Sequence, residues 1–291
     1  MMQSSGRAGF IGGLGAQIAL AVLASACGER PLEPRDPTPG VAYFKIASFN
    51  IEVGDERDPE TVGAIGATAA DIICLQEVSA EWEPVIRARY SADYPHMLFH
   101  PGGAGGLGVL SKWELAEGEF IDASEEAHPA WSLFASTPAG TMNILNVHLR
   151  SLYSGSGGVV NDYLTWGSDH VVELRSVVAS EPTRVVESLP RIVVGDFNEG
   201  TNGDAVAYLE RLGFSDALPL YHPGQFTWRH ASLGNQFTES LDHVLFDEWF
   251  APLNAFVLVK GNSDHIPVVA HLEAARAWPS VTLSQLSTAS E

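Results

Sequence analysis

Six short apolar runs, each meeting a polar residue at one end, constrain this chain more than any other feature. Tyr43 to Phe49 leads into Asn50, Ile72 to Leu75 into Gln76-Glu77, and Ile144 to Val147 into His148. Ile192 to Val194 runs into Gly195-Asp196-Phe197-Asn198. Runs this short, bounded by polar residues, predict buried strands. In a fifth run, Leu241 to Phe246, the acid Asp242 stands near the start, and Asp264-His265 precede a sixth, Ile266 to Ala270. If strands with trailing polar groups run opposite to those with leading ones, all these side chains gather on one rim of the sheets.

Apolar residues recur at helical spacing over Pro59 to Ala70, Asp169 to Ala179 and Asp204 to Leu212. Strands mixed with helices, without strict alternation, predict an α/β chain: a four-layer sandwich, two packed mixed β-sheets flanked by helices. No internal repeat or second composition block divides it. The expected organisation is a signal peptide over 1–26, a Pro-rich tether over 27–40, a catalytic domain over 41–273 and a loose Ser/Thr-rich tail over 274–291.

The polar ends carry the chemistry. A carboxylate and a carboxamide after a strand are hard oxygen donors suited to magnesium, which takes one or two carboxylates plus phosphate oxygens and water. Each residue alone has an ordinary alternative. An Asp after a strand, such as Asp196, is more often a turn or helix-cap residue than a catalytic one. A histidine such as His148 is more often a hydrogen-bonded edge residue. His243 should face away from Asp242, because strand side chains alternate, and is read as structural.

As an ordered set these residues resemble the endonuclease/exonuclease/phosphatase superfamily, which includes pancreatic-type deoxyribonucleases, abasic-site endonucleases, sphingomyelinases and inositol-phosphate phosphatases. The matching segments are Ser48-Phe49-Asn50, Leu75-Gln76-Glu77-Val78, Gly106 to Ser111, Asn146-Val147-His148-Leu149, Gly195 to Asn198, Leu241-Asp242-His243 and Ser263-Asp264-His265. The resemblance spans Val41 to about Glu273. It implies that Asn50 and Glu77 help hold a metal whose shell Asp264 completes or supports. It implies that His148 and Asn198 contact the phosphate, and that Asp196 orients or deprotonates the attacking water. Asp242 would hydrogen-bond His265, fixing its tautomer and stabilising its cation. His265 is then either a base or a cationic clamp on the phosphate, with the clamp expected. Magnesium is the expected ion, with manganese or calcium as alternatives.

Other motifs lead elsewhere and fail. Gly103 to Gly108 fits Gly-x-Gly-x-x-Gly, yet apolar, strand-like Val109-Leu110 follows where a dinucleotide fold needs a helix. No phosphate-loop lysine motif, His-Glu-x-x-His or Cys-x-x-Cys is present, and Ser154 to Gly158 lacks the spacing of a nucleophile elbow. That stretch, with Tyr153, Tyr163 and Trp166, reads either as a loop shaping substrate access or as a surface loop with aromatic anchors.

At the N-terminus, Arg7, a 17-residue apolar run from Phe10 to Ala26, and small residues Ala24-Ser25-Ala26 before Cys27 describe a signal peptide. Cleavage after an Ala-x-Ala site would release a soluble protein. Acylation of Cys27 would tether the protein to a membrane, and the cysteine followed by Pro31, Pro34, Pro37 and Pro39 favours that reading, although Leu23 stands one place too early for the usual lipoprotein pattern. Cys74 is read as a small buried hydrophobe.

Charge bears on the substrate. The chain has 16 Lys plus Arg against 36 Asp plus Glu, a net −20, which repels polyanions. Ser79 stands where deoxyribonuclease-like relatives often carry Arg. A local group of Arg150, Arg175 and Arg229 is the feature that would offset this field. The expectation is an exported, monomeric, metal-dependent phosphoesterase without a protein partner, acting on a phosphodiester, or secondarily a monoester, of a small molecule, a lipid headgroup or a nucleic acid by in-line attack of a metal-associated water. A secreted endonuclease is the alternative enzyme, and a non-catalytic surface-tethered binding module the alternative of a different class.

Overall fold

In the computed structural model, residues 30–54, 57–121, 128–151, 170–175, 188–232 and 235–287 are described. The expected signal peptide, Cys27 and the stretch 153–166 lie outside them.

Each expected strand forms, and alternation sorts its side chains. In β1 (Tyr43–Asn50) Phe44 and Ile46 point into one apolar cluster, while Ala47 and Phe49 point into another. β2 (Ile72–Gln76), β7 (Gly140–His148), β8 (Arg191–Asp196) and β12 (Asp242–Phe246) divide in the same way. One sheet has the order β13-β14-β1-β2-β4-β3, adding β3 (His96–His100), β4 (Leu107–Ser111), β13 (Phe250–Val257) and β14 (Val268–Ala274). The other has the order β5-β6-β7-β8-β12-β9, adding β5 (Leu115–Ile121), β6 (Ala130–Thr137) and β9 (Ser215–Asp216).

The two sheets share one apolar interior, where Ile46, Cys74 and Val109 meet Leu133, Ile144, Val194 and Val244. Outside the first sheet lie α1 (Pro59–Ala67) and α2 (Trp82–Tyr90), whose Ile65, Trp82 and Ile86 cover Phe49 and Leu75. Outside the second lie α3 (170–175) and α4 (Asp204–Arg211), whose Leu174, Val206 and Leu209 cover Leu145, Val193 and Leu245. This is the four-layer sandwich with two mixed six-stranded sheets. α1 begins where Pro59 allows, with Asp58 accepting from Thr61 N at 2.6 Å. It stops three residues before the expected Ala70 because Ala69 takes a left-handed φ of 49°.

Strand direction gathers the polar ends. β1 runs parallel to β2 and antiparallel to β14; β7 runs parallel to β8, and β8 antiparallel to β12. Asn50 therefore pairs with Gln76, His148 with Asp196, and Asp196 with Asp242. Along each inner stripe the residues turn from apolar to polar at the same rim: Ile46-Ser48-Asn50, Cys74-Gln76, Ile144-Asn146-His148 and Val194-Asp196. A buried Gln76 Nε2 to Asn146 Oδ1 bond of 2.8 Å joins the two sheets just beneath that rim.

Two expectations need correction. The described part of the expected tail, up to Ser287, is not loose: Trp278 packs edge-on against Phe44 and Phe250, and α5 (Leu283–Ser287) sets Leu286 against Phe134 and Leu189. An apolar gap at the end of the sandwich away from the polar rim is what these side chains fill. Nor are residues 32–38 a free tether. Leu32 N donates to Leu220 O, Arg35 N to Leu253 O and Thr38 N to Glu273, while Arg35 pairs with Glu273 at 2.7 Å. Pro31, Pro34 and Pro37 lack donors, but the residues between them supply the N–H groups.

Candidate active site

At the rim, Asp196 is the hub. Strand β8 delivers its side chain fully buried between the sheets, and Gly195 makes this feasible. A Cβ there would lie 1.8 Å from Val147 O, so only glycine lets β8 press against β7 at that point. Asp196 Oδ2 accepts from Asn50 Nδ2 at 3.0 Å and faces His148 Nε2 and His265 Nε2, each at 3.5 Å. Its Oδ1 accepts from Asn198 N at 2.8 Å. Burial pushes the Asp196 carboxyl up, but His265 and His148 outweigh it and hold the group below the usual carboxylate range.

His265 Nδ1 lies 2.9 Å from Asp242 Oδ2. Thr227 Oγ1 accepts from both Leu241 N and Asp242 N at 2.9 Å, fixing the start of β12. Burial alone would lower the His265 pKa, yet Asp242 and Asp196 raise it to about 10, so the ring is an imidazolium at neutral pH. At Asp242 burial outweighs the pull of the His265 cation and holds the carboxyl above its usual range. The donor atoms of Asp196, Asp242 and His265 lie within 4.8 Å of one another, a buried Asp-Asp-His cluster with ligand-like spacing. The imidazolium already supplies the cation that those two carboxylates need.

A second acidic group stands beside it. Glu77, at a left-handed φ of 61°, accepts from Asn50 Nδ2 at 3.0 Å and from Val53 N at 2.9 Å. Glu52, also left-handed at 58°, accepts from Asp264 N at 3.2 Å. Asp264 accepts from the Trp228 indole at 2.8 Å. Burial, then Asp264 and then Glu77 raise the Glu52 pKa, the signature of like charges converging. Asn50 turns its amide nitrogen to Glu77 and Asp196 while its Oδ1 accepts from Glu52 N at 3.0 Å, so the hard oxygen donors on this side, of the kind a magnesium-like cation takes, are the carboxylates of Glu77, Asp264 and Glu52.

His148 is held by Nδ1 at 2.8 Å from Ala104 O. The Gly103–Gly108 loop that fits a dinucleotide pattern has this as its contact, and Gly106 lets the loop lie on the Val78 carbonyl beside Glu77, where a Cβ would stand 1.8 Å away. Asn198, left-handed at 50°, donates from Nδ2 to Leu149 O at 2.8 Å, tying its loop to the end of β7. All eight expected site residues, Asn50, Glu77, His148, Asp196, Asn198, Asp242, Asp264 and His265, thus belong to one linked rim.

His243 points away, as alternation requires, bonding Asp216 at 2.6 Å and Glu199 O at 2.9 Å. Ser79 accepts from Trp82 N at the start of α2. Arg175 stacks on Tyr208 of α4. Sequence reasoning missed Glu52, Trp228, His128 and the buried pair His170–Glu199. Glu52 extends the two-residue spacing of Ser48 and Asn50 and was findable. His170 links Glu199 at 3.2 Å to Arg150 O at 2.7 Å, and His128 meets His148 edge-on at 4.7 Å; neither has a local motif.

A sequence profile described as the Endonuclease/Exonuclease/phosphatase family matches residues 47–265. No curated protein sequence matches the chain. Among solved structures, an endonuclease/exonuclease/phosphatase from Beutenbergia cavernae superposes with a TM-score of 0.63 at 17% identity, covering 81% of this chain and 72% of that one. The human Nocturnin catalytic domain with bound sulfate gives 0.59 at 18%, covering 80% and 95%. ANGEL2, a 2′,3′-cyclic phosphatase in complex with adenosine-2′,3′-vanadate, gives 0.59 at 14%, covering 84% and 99%.

Proposed function

The chain belongs to the endonuclease/exonuclease/phosphatase family, whose members are phosphoesterases, and from that premise we propose that it is an exported, metal-dependent phosphodiesterase. The observation that carries the reading is the convergence on Asp196 Oδ2 of Asn50 at 3.0 Å and of His148 and His265 at 3.5 Å. One carboxylate flanked by two imidazoles and an amide is equipped to handle a water and a phosphate together.

A divalent ion on Asn50, Glu77 and Asp264, magnesium by donor chemistry, would supply charge neutralisation at the phosphate and a more acidic water. The chain's own groups do the rest. Asp196 orients the water and takes its proton as the new P–O bond forms in line with the ester P–O bond that breaks. His265 stays protonated and clamps the charge developing on the phosphate, and His148 and Asn198 hydrogen-bond its other oxygens. The departing oxygen takes a proton from solvent, and Asp196 returns its own to solvent.

Export rests on the apolar run and small residues before Cys27, with acylation of that cysteine as the anchor and a monomer as the working form. A nuclease is the second reading, since TDP2 from D. rerio has been solved with a single-strand DNA product; the net −20 charge argues against it here.

Release of nitrophenol from bis(4-nitrophenyl) phosphate with magnesium, abolished by chelator and by His265→Ala, is the expected result. A flat trace across magnesium, manganese and calcium would favour a binding module. Plasmid nicking that falls steeply with salt would favour the nuclease.

A further inference from the structure

We propose that the cleft between the loop after Asn198 and the hairpin of β10 (Trp228–Ser232) and β11 (Asn235–Glu239) receives one ester group of the substrate, and that this group carries a protonated amine. The inference rests on the phosphodiesterase reading and names the class of substrate that reading leaves open.

Position comes first. The cleft measures about 380 Å³ and is walled by Thr201 and Asn202 on one side and by Phe226, Thr238, Glu239 and Ser240 on the other. Gly200, which also lines it, lies two residues beyond Asn198. Glu239 is the register partner of Trp228, whose indole holds Asp264 and whose backbone bridges to His265. Through Gly200 and Trp228 the cleft is therefore tied to the loop of Asn198 on one side and to Asp264 and His265 on the other.

Lining chemistry selects the occupant. Hydroxyls of Thr201 and Ser240 and the Asn202 amide offer hydrogen-bond acceptors, and Phe226 offers a ring face. Glu239 is the one charged side chain among the described lining residues, and no cation accompanies it. An ammonium has three donors and no acceptor, so a carboxylate with hydroxyl oxygens beside it matches it atom for atom, and an aromatic face adds attraction for a cation. An anionic arm would meet Glu239 within a chain of net charge −20.

The test uses three 4-nitrophenyl phosphodiesters whose second ester group is 2-aminoethyl, 2-hydroxyethyl or 2-carboxyethyl, assayed at pH 7 with magnesium. We expect kcat/KM to fall in that order, with amine over carboxylate by about ten-fold or more, and Glu239→Gln to cut that ratio at least about five-fold. Glu248→Gln removes the same charge from an exposed position beyond the far end of β12 and should leave the ratio intact, separating a local contact from the general field. A wild-type ratio near one, or a ratio that Glu239→Gln and Glu248→Gln change equally, overturns the inference while the phosphodiesterase stands. Turnover of none of the three, with the bis-ester also inert, overturns both.

Discussion

Asp242 Oδ2 and His265 Nδ1 lie 2.9 Å apart, and the other nitrogen of His265 faces Asp196 at 3.5 Å. Two buried carboxylates thus hold one imidazole in its cationic form, against the burial that would strip its proton.

That pairing predicts the behaviour of Asp242→Asn. Without the carboxylate, the pKa of His265 falls from about 10 toward the ordinary value of about 6.5, so the ring loses its proton near neutrality. At pH 8 kcat should drop by about 10²–10⁴, with a partial recovery at pH 6 that the wild type does not show. Steady-state kinetics across pH 5.5–9 checks this.

His243 makes a separate prediction about stability. Burial would lower its pKa, but the Asp216 carboxylate at 2.6 Å and the Glu199 carbonyl raise it to about 9. A folded pKa above the unfolded one means that the stabilisation is complete below about pH 6.5 and is lost as pH rises through about 9. In urea unfolding His243 should account for a loss on the order of 2–3 kcal/mol between pH 6 and pH 9.5, and His243→Gln should reduce the total difference by about that amount while leaving the part that His265 contributes over the same window.

The layered fold and the gathering of the eight candidate residues at one rim were legible because alternation along a strand puts Ser48-Asn50, Asn146-His148 and Asp196 on the same face as the apolar residues before them. Strand direction could be inferred from which end carried the polar group. What escaped was everything built by contact rather than by period. Trp278 fills a gap that exists only once both sheets are assembled, and Arg35 and Thr38 find Glu273 across 235 or more residues of chain. His170 reaches Glu199 and Arg150 from a short helix, with no spacing to announce it.

Gly106 tests the loop beneath Glu77. A Cβ there would stand 1.8 Å from Val78 O, with backbone rather than a movable side chain in its way. Gly106→Ala should destabilise the protein by about 3 kcal/mol or more and weaken activity further by displacing Glu77 and the Ala104 carbonyl that holds His148. Thermal unfolding and residual kcat, measured at a temperature where the variant is folded, separate the two effects.

The C-terminal segment offers a third stability test. Trp278→Ala should cost about 3–5 kcal/mol if the indole fills the end of the inter-sheet core beside Phe44 and Phe250, and deletion after Ala274 should cost at least as much. Both changes lie away from the polar rim, so folded protein should keep its kcat. Calorimetry alongside the nitrophenol assay decides the matter.

The central claim, one cation and one phosphate on a single rim, is tested most directly by crystals soaked with manganese and inorganic phosphate. The account predicts an anomalous peak contacting Glu77 and Asp264, with phosphate oxygens against His148, Asn198 and His265. A manganese peak seated on Asp196, Asp242 and His265, or phosphate bound without contact to those histidines, would contradict it.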